Sequence, residues 1–171
     1  MSVDPPPPAP EHLDVLIIGA GISGIGAARY LTVEHRSKSF AILEARDASG
    51  GTWDLFRYPG IRSDSDLHTF GYEFKPWRDE QSIADAPRIL AYLRETATEN
   101  GIDQRIRYHH KVLTASWSTP EARWTVEVER SDTGERLRLT AGWIFCAGGY
   151  YRYDEGFTPH FAGRDRFRGL I

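Results

Sequence analysis

The apolar residues of this chain fall into short runs separated by glycine turns, with one longer stretch at helical spacing. Leu13-Asp14-Val15-Leu16-Ile17-Ile18 is β-branched and mostly apolar, which predicts a buried strand of a parallel sheet. Glycines follow at once, and Ile22 to Leu31 predicts a helix in which Ala27 and Ala28 supply small packing surfaces. Phe40-Ala41-Ile42-Leu43 predicts a second short strand. Strand, glycine turn, helix and strand make a βαβ unit with a right-handed crossover. Residues Ala45 to Lys75 show no clean period and predict a long ordered loop with short helical turns, a length that usually carries function. Asp85 is placed to cap a helix with Pro87 in its first turn. That helix buries Ile89, Leu90, Leu93 and Ala97 and stops at Gly101. Three strands are expected next, Val112 to Trp117, Trp124 to Glu129 and Arg136 to Leu139, with a tight hairpin at Asp132-Thr133-Gly134. Val126, Val128, Leu137 and Leu139 alternate with charged residues, so that sheet has one wet face. Trp143-Ile144-Phe145-Cys146 predicts a further buried strand, ending at Ala147-Gly148-Gly149, and no internal repeat is present. The fold class read from this order is α/β: a Rossmann-like parallel sheet with a βαβ glycine loop, plus a three-stranded antiparallel β-meander.

Composition narrows the function classes. A chain of 171 residues that is 40% hydrophobic and 12% aromatic is long enough to bury one core. A net charge of −3 without a Lys/Arg run argues against a nucleic-acid partner. A single cysteine, Cys146, excludes an intrachain disulfide framework and a multi-cysteine metal site, and fits a reducing, cytoplasmic setting. No apolar run approaches the roughly 20 residues that span a bilayer, and the acidic, proline-rich N-terminus lacks the apolar core of a secretory signal. Residues 1–11, with Pro5-Pro6-Pro7-Pro8, are expected to be a disordered, solvated tail. The domain is expected to run from 12 to 171.

Gly19-Ala20-Gly21-Ile22-Ser23-Gly24 matches G-x-G-x-x-G. Alone the motif is weak, but here it follows a predicted strand and opens a predicted helix. Gly19 permits the turn, Gly21 lets backbone approach a pyrophosphate, and Gly24 lets the helix pack close to the strand. The helix N-terminus offers free N–H groups and a positive dipole end, and the Ser23 hydroxyl is a further candidate donor. Glu44 lies 20 residues after Gly24 at the end of the second strand, where a carboxylate accepts hydrogen bonds from ribose hydroxyls. The fingerprint indicates a dinucleotide and does not separate FAD from NAD.

Downstream stand Gly50-Gly51-Thr52-Trp53-Asp54, Arg57-Tyr58-Pro59-Gly60 and Arg62-Ser63-Asp64. This stretch resembles the G-G-T-W … R-Y-P-G-x-R-x-D region of class B flavoprotein monooxygenases of the Baeyer–Villiger type. The span from His12 to Gly163 is similar to the ethionamide-activating monooxygenases within that group. The resemblance implies FAD as cofactor, with NADPH and O₂ used by the complete enzyme, and a ketone, sulfide or thioamide as the small-molecule substrate. It also implies site roles. Gly50 and Gly51 would let backbone approach the FAD. Thr52, Trp53, Asp54 and Leu55 would line it. Arg62 and Ser63 would lie near the nicotinamide end, and Asp64 near the isoalloxazine, serving catalysis by orienting an arginine. Val112 would begin a strand whose backbone pairs with the adenine edge.

Other residues are expected to be structural: Asp66 as a turn or capping residue, His68, His109 and His110 without metal-ligand partners, Cys146 as an inert core thiol, and Trp117 against Trp124 as a cross-strand pair. Ala147-Gly148-Gly149 resembles the family's A-T-G turn with glycine for threonine. The family pattern F-x-G-x-x-x-H-x-x-x-W begins at Phe167 and stops at Ile171 before its histidine, and a second glycine loop for NADPH does not occur. The expectation is therefore an incomplete FAD-binding domain, inactive alone, with a separately encoded C-terminal half as a candidate partner. Two other readings stay open: a non-catalytic fragment that binds FAD weakly, and an NAD-dependent dehydrogenase domain.

Overall fold

In the computed structural model, which describes residues 10–170, the chain enters the sheet earlier than expected. Strand β1 spans Glu11–Ile18, so the tail boundary at Glu11 is corrected. Glu11 pairs in register with Leu139, and its two carboxylate oxygens accept hydrogen bonds from Arg107 at 2.7 and 2.7 Å. Those bonds hold the Glu11 carboxyl below its usual range. The proline run lies outside the described residues.

Helix α1 (Ile22–Glu34) and strand β2 (Phe40–Leu43) complete the βαβ unit. Two single helical turns, α2 (Thr52–Leu55) and α3 (Leu67–Phe70), punctuate the long loop. Asp66 caps the second, its carboxylate accepting the Thr69 N–H at 2.9 Å. Helix α4 (Ala86–Glu99) begins where Asp85 accepts the Arg88 N–H at 3.1 Å, and Gly101 ends it at φ +63°. Strand β3 (Ile106–Arg107), β4 (His110–Ser118), β5 (Arg123–Arg130) and β6 (Arg136–Cys146) follow. They form one six-stranded sheet in the order β3-β2-β1-β6-β5-β4. Strands β3, β2, β1 and β6 are parallel, and β4, β5 and β6 form the antiparallel meander. Two-residue β3 had no sequence signal, since no period can be read from two residues.

The sequence predicts two strands where the structure has one. β6 is continuous because its neighbours change along it: Arg136 to Ala141 pair with β5, while Leu139 to Cys146 pair with β1. Gly142, which falls between the two expected strands, sits inside the observed one. A Cβ there would come 3.2 Å from the Asp14 carbonyl oxygen, so glycine serves close backbone approach.

Two apolar clusters flank the sheet. Ile17, Ile42, Ile25, Ile89 and Leu93 build the one that joins the sheet to α1 and α4. Leu16, Leu43, Val126, Val128 and Leu139 build the other, under the meander. Each fully buried aliphatic side chain contributes roughly 1.5–3 kcal/mol, so both faces of β1 and β2 are firmly held. The far end of β6 is a second correction. Trp143 is 65% exposed and Phe145 is 40% exposed, and Cys146 is an exposed thiol rather than a core residue. Trp143 and Phe145 stand opposite Val15 and Ile17, beyond the area that α1 covers. Trp117 and Trp124 are register partners with ring centroids 5.6 Å apart, as expected.

Candidate functional site

The glycine loop leaves β1 at Ile18. Gly19 adopts φ +105°, and its N–H donates to the Leu43 carbonyl at 2.8 Å. A Cβ on Gly19 would lie 2.5 Å from the Ala147 carbonyl oxygen, and one on Gly24 would lie 1.9 Å from the Gly19 carbonyl oxygen. These two glycines therefore let three backbone segments meet at one point. Gly21 is the N-cap of α1 and supplies no side-chain acceptor. The first-turn N–H groups thus remain available to a ligand. Ser23 is exposed beside them.

Glu44 is buried at the end of β2. One carboxylate oxygen accepts the Ala20 N–H at 2.9 Å and the other accepts the Arg46 N–H at 3.0 Å. Its backbone is fixed by two strands: its carbonyl accepts the His110 N–H of β4 at 2.8 Å, and its N–H donates to the Arg107 carbonyl of β3 at 3.0 Å. The same carboxylate thus shapes the glycine loop and retains lone pairs for further donors.

The second glycine pair closes on the first. The Gly50 N–H donates to the Ala20 carbonyl at 2.9 Å. A Cβ on Gly51 would lie 3.1 Å from Gly21 Cα, and one on Gly21 would lie 3.7 Å from Gly51 Cα. Thr52, Trp53 and Leu55 are half-buried in the turn that follows, with Trp53 edge-on to Phe70 at 6.0 Å between centroids. Asp54, expected on the cofactor wall, has its side chain engaged with arginines. Its side chain is 3% exposed and is surrounded by Arg46, Arg94 at 2.7 Å and Arg57 at 3.8 Å.

Arg62 and Asp64 are exposed. Asp64 lies close enough to Tyr151 for its charge to help raise that phenol, after the larger effects of the Tyr150 hydrogen bond and charge. Ser63 is buried, and its hydroxyl is used locally, donating to the Ser65 carbonyl at 2.7 Å and accepting the Ser65 N–H at 3.1 Å. Val112 sits on β4, the sheet edge, opposite Val128. Among the described residues, no group of three or more His, Cys, Asp or Glu is arranged to hold a metal. The His110 Nδ1–H donates to the Tyr108 carbonyl, 2.6 Å away.

The family of NAD(P)-binding Rossmann-like domains matches residues 17–80. The chain is 55% identical over 161 residues to the FAD-containing monooxygenase EthA of Mycobacterium tuberculosis (strain ATCC 25618 / H37Rv), covering 94% of this chain and 32% of that protein. It is 45% identical over 159 residues to the probable FAD-binding monooxygenase AlmA of Acinetobacter baylyi (strain ATCC 33305 / BD413 / ADP1), covering 93% and 32%. Over nearly its whole length the chain is similar to FAD-containing monooxygenases. It spans about a third of the length of these curated relatives. Two solved monooxygenase structures have the same fold over this span. One is an oxidized steroid monooxygenase bound to NADP, with TM-score 0.74, 32% identity and coverage of 92% of this chain and 30% of that one. The other is a mutant cyclohexanone monooxygenase from Rhodococcus sp. Phi1 bound to NADP⁺, with TM-score 0.75, 27% identity and coverage of 94% and 30%.

At this site, sequence reasoning missed Arg46, Arg94 and the carbonyl of Ala147. Arginines carry no spacing signal, and a backbone contact 128 residues away has none at all. An open apolar groove of about 620 Å³ also escaped notice. It flanks α1 between Tyr30, Phe70, Tyr72, Trp143 and Phe145, and neither Gly19, Glu44 nor Gly51 lines it. No helix among the described residues is long and apolar enough to cross a membrane.

Proposed function

We propose that residues 12–171 are the N-terminal part of the FAD-binding domain of an NADPH- and O₂-dependent monooxygenase. The observation that carries this reading is the position of the glycine loop. It lies at the carboxyl end of β1, between β2 on one side and β6 on the other, where the connection direction reverses and α/β folds bind their ligands. The family match is to NAD(P)-binding domains, whereas the relatives are named for FAD, and the Gly50-Gly51 turn closing on Gly21 favours FAD at this position.

The residues fit such a ligand. Gly21 and Gly51 leave the room that two Cβ atoms would fill, and the N–H groups of Ile22 and Ser23 with the α1 dipole suit the pyrophosphate. Glu44, with lone pairs to spare, accepts the ribose hydroxyls. Thr52, Trp53 and Leu55 form the wall that excludes water. Arg62, Ser63 and Asp64 form the rim toward the nicotinamide and isoalloxazine, where Asp64 orients an arginine from elsewhere in the enzyme. The edge backbone at Val112 faces the adenine. FAD, when bound, supplies the redox chemistry, passing electrons from NADPH to O₂ and delivering one oxygen atom to a ketone, sulfide or thioamide. A cytoplasmic setting belongs to this reading, because NADPH is the reductant. Spanning a third of its relatives' length, the chain alone binds FAD without turnover, the remainder coming from further polypeptide, continuous or separately encoded.

The test is the visible spectrum of the purified 171-residue chain mixed with FAD and desalted. A retained flavin spectrum is expected. A colourless protein that is nonetheless folded by circular dichroism would overturn FAD binding by this segment.

A further inference from the structure

Around Asp54 the structure collects more charge than a cofactor wall needs. This carboxylate is 3% exposed and sits in the one-turn helix α2, directly after the Gly50-Gly51 turn. Arg46, two residues beyond Glu44, donates to one of its oxygens and also to the Gly51 carbonyl at 3.4 Å. Arg94, in the middle of α4, donates to the other oxygen at 2.7 Å and to the Ser49 carbonyl at 3.3 Å. Both arginines therefore hold the turn twice, through its side chain and through its backbone. The turn has no slack: a Cβ on Gly50 would lie 2.3 Å from Leu90 of α4 and 3.2 Å from Asp54 Cβ.

The other side of the turn touches the glycine loop. Gly50 N–H reaches the Ala20 carbonyl at 2.9 Å, and Ala20 N–H reaches Glu44. A continuous path thus runs from α4 through Arg94, Asp54 and Gly50 to Ala20, with Arg46 bracing it from the end of β2. A buried carboxylate shared by guanidinium groups is a rigid joint: removing Arg94 releases one of its tethers, and neutralising Asp54 leaves like charges facing each other. Arg94 is 47% exposed, so its own contribution is partly screened by solvent.

We propose that Asp54, clamped by Arg46 and Arg94, is a positioning residue that sets the gap between the Gly50-Gly51 turn and the Gly19–Gly24 loop, and thereby the fit of the dinucleotide. Its buried side chain acts through the two glycine turns. The inference rests on the reading that FAD lies against this cradle.

The experiment uses the 171-residue chain and its Arg94→Met, Arg94→Lys and Asp54→Asn variants. Amide hydrogen exchange at Gly50 reads the joint, with Ile17 and Leu93 as internal references, and flavin fluorescence titration reads FAD affinity. In Arg94→Met and Asp54→Asn, Gly50 exchange is expected to accelerate about tenfold while Ile17 stays protected, and the FAD Kd to rise about tenfold. Arg94→Lys, which keeps a cation that can reach both acceptors, is expected to recover part of both. If Gly50 exchange is unchanged, if all protected amides accelerate together, or if FAD affinity is unchanged while Gly50 exchange responds, the proposal is overturned. Should Asp54→Asn fail to fold, the milder Arg94→Met decides. If the parent chain binds no FAD yet Gly50 responds, the cofactor reading and its ligand-positioning consequence fall while the joint stands.

Discussion

At the scale of single residues, the site depends on atoms that are absent as much as on those present. Gly24 is the clearest case, since a Cβ there would collide with backbone that no rotamer change can move. Gly24→Ala is expected to lower stability by about 3 kcal/mol or more, at the upper end of overpacking costs, as read from urea unfolding. Glu44 is the complementary case, a buried acceptor serving two backbone donors. Glu44→Gln turns an amide NH₂ toward one of those N–H groups. It is expected to destabilise the chain by roughly 1–3 kcal/mol and to weaken FAD binding in the same titration. A variant with wild-type stability and FAD affinity would remove Glu44 from both roles. These positions were legible in the sequence because glycine spacing and a terminal acid encode the need for close approach and for an acceptor. Arg46 and Arg94 were not, since their partner is decided by how α4 lies across the loop.

Among the elements, α4 and the β1–β2 junction carry the stability that keeps the site assembled. Asp85→Ala removes the cap of α4 and is expected to cost about 1 kcal/mol, seen as a lower midpoint in thermal unfolding. The Asp14 carboxylate accepts from the Ser39 N–H, the Ser39 hydroxyl and Lys38. The Ser39 backbone bond foremost, then the Ser39 hydroxyl and Lys38, hold it well below the ordinary aspartate value of 3.8. A depressed folded pKa contributes stability that is complete above the unfolded value and is lost as pH falls through the folded one. The stability gap between the parent chain and Asp14→Asn, measured by urea unfolding, is therefore expected to hold from neutrality to about pH 5 and to narrow below about pH 4. A gap that widens in acid would contradict that sign. Element type was legible for α1, β2, α4 and the meander, where apolar period and caps agree. The extent of β6 was not, because its two halves serve different neighbours and only the pairing joins them.

For the whole molecule, the sheet is covered unevenly. The meander returns to β2 through the His110 to Glu44 bond and buries one face, while α1 and α4 cover only part of the other. Trp143, Phe145 and Tyr30 consequently border an open apolar groove, and patches of this kind drive association. Replacing both Trp143 and Phe145 with serine is expected to reduce the binding of a hydrophobic dye and any concentration-dependent self-association in sedimentation, without loss of the fold. Unchanged dye binding would mean that the groove is not the molecule's exposed apolar site. The expected buried strand at 143–146 was a sound reading of its composition, since an apolar run encodes a need for cover without specifying what provides it.

The sequence by itself determined the βαβ unit, the glycine loop, the acid at the end of β2 and the meander, because each depends on local period, backbone freedom or spacing within a few tens of residues. Only the tertiary structure decided that Asp54 faces an arginine cluster, that Gly19 packs against Ala147, and that Cys146 and its neighbours are left exposed. Those outcomes depend on which segments distant in the chain come to lie side by side, and contacts of that range leave no pattern in the chain that forms them.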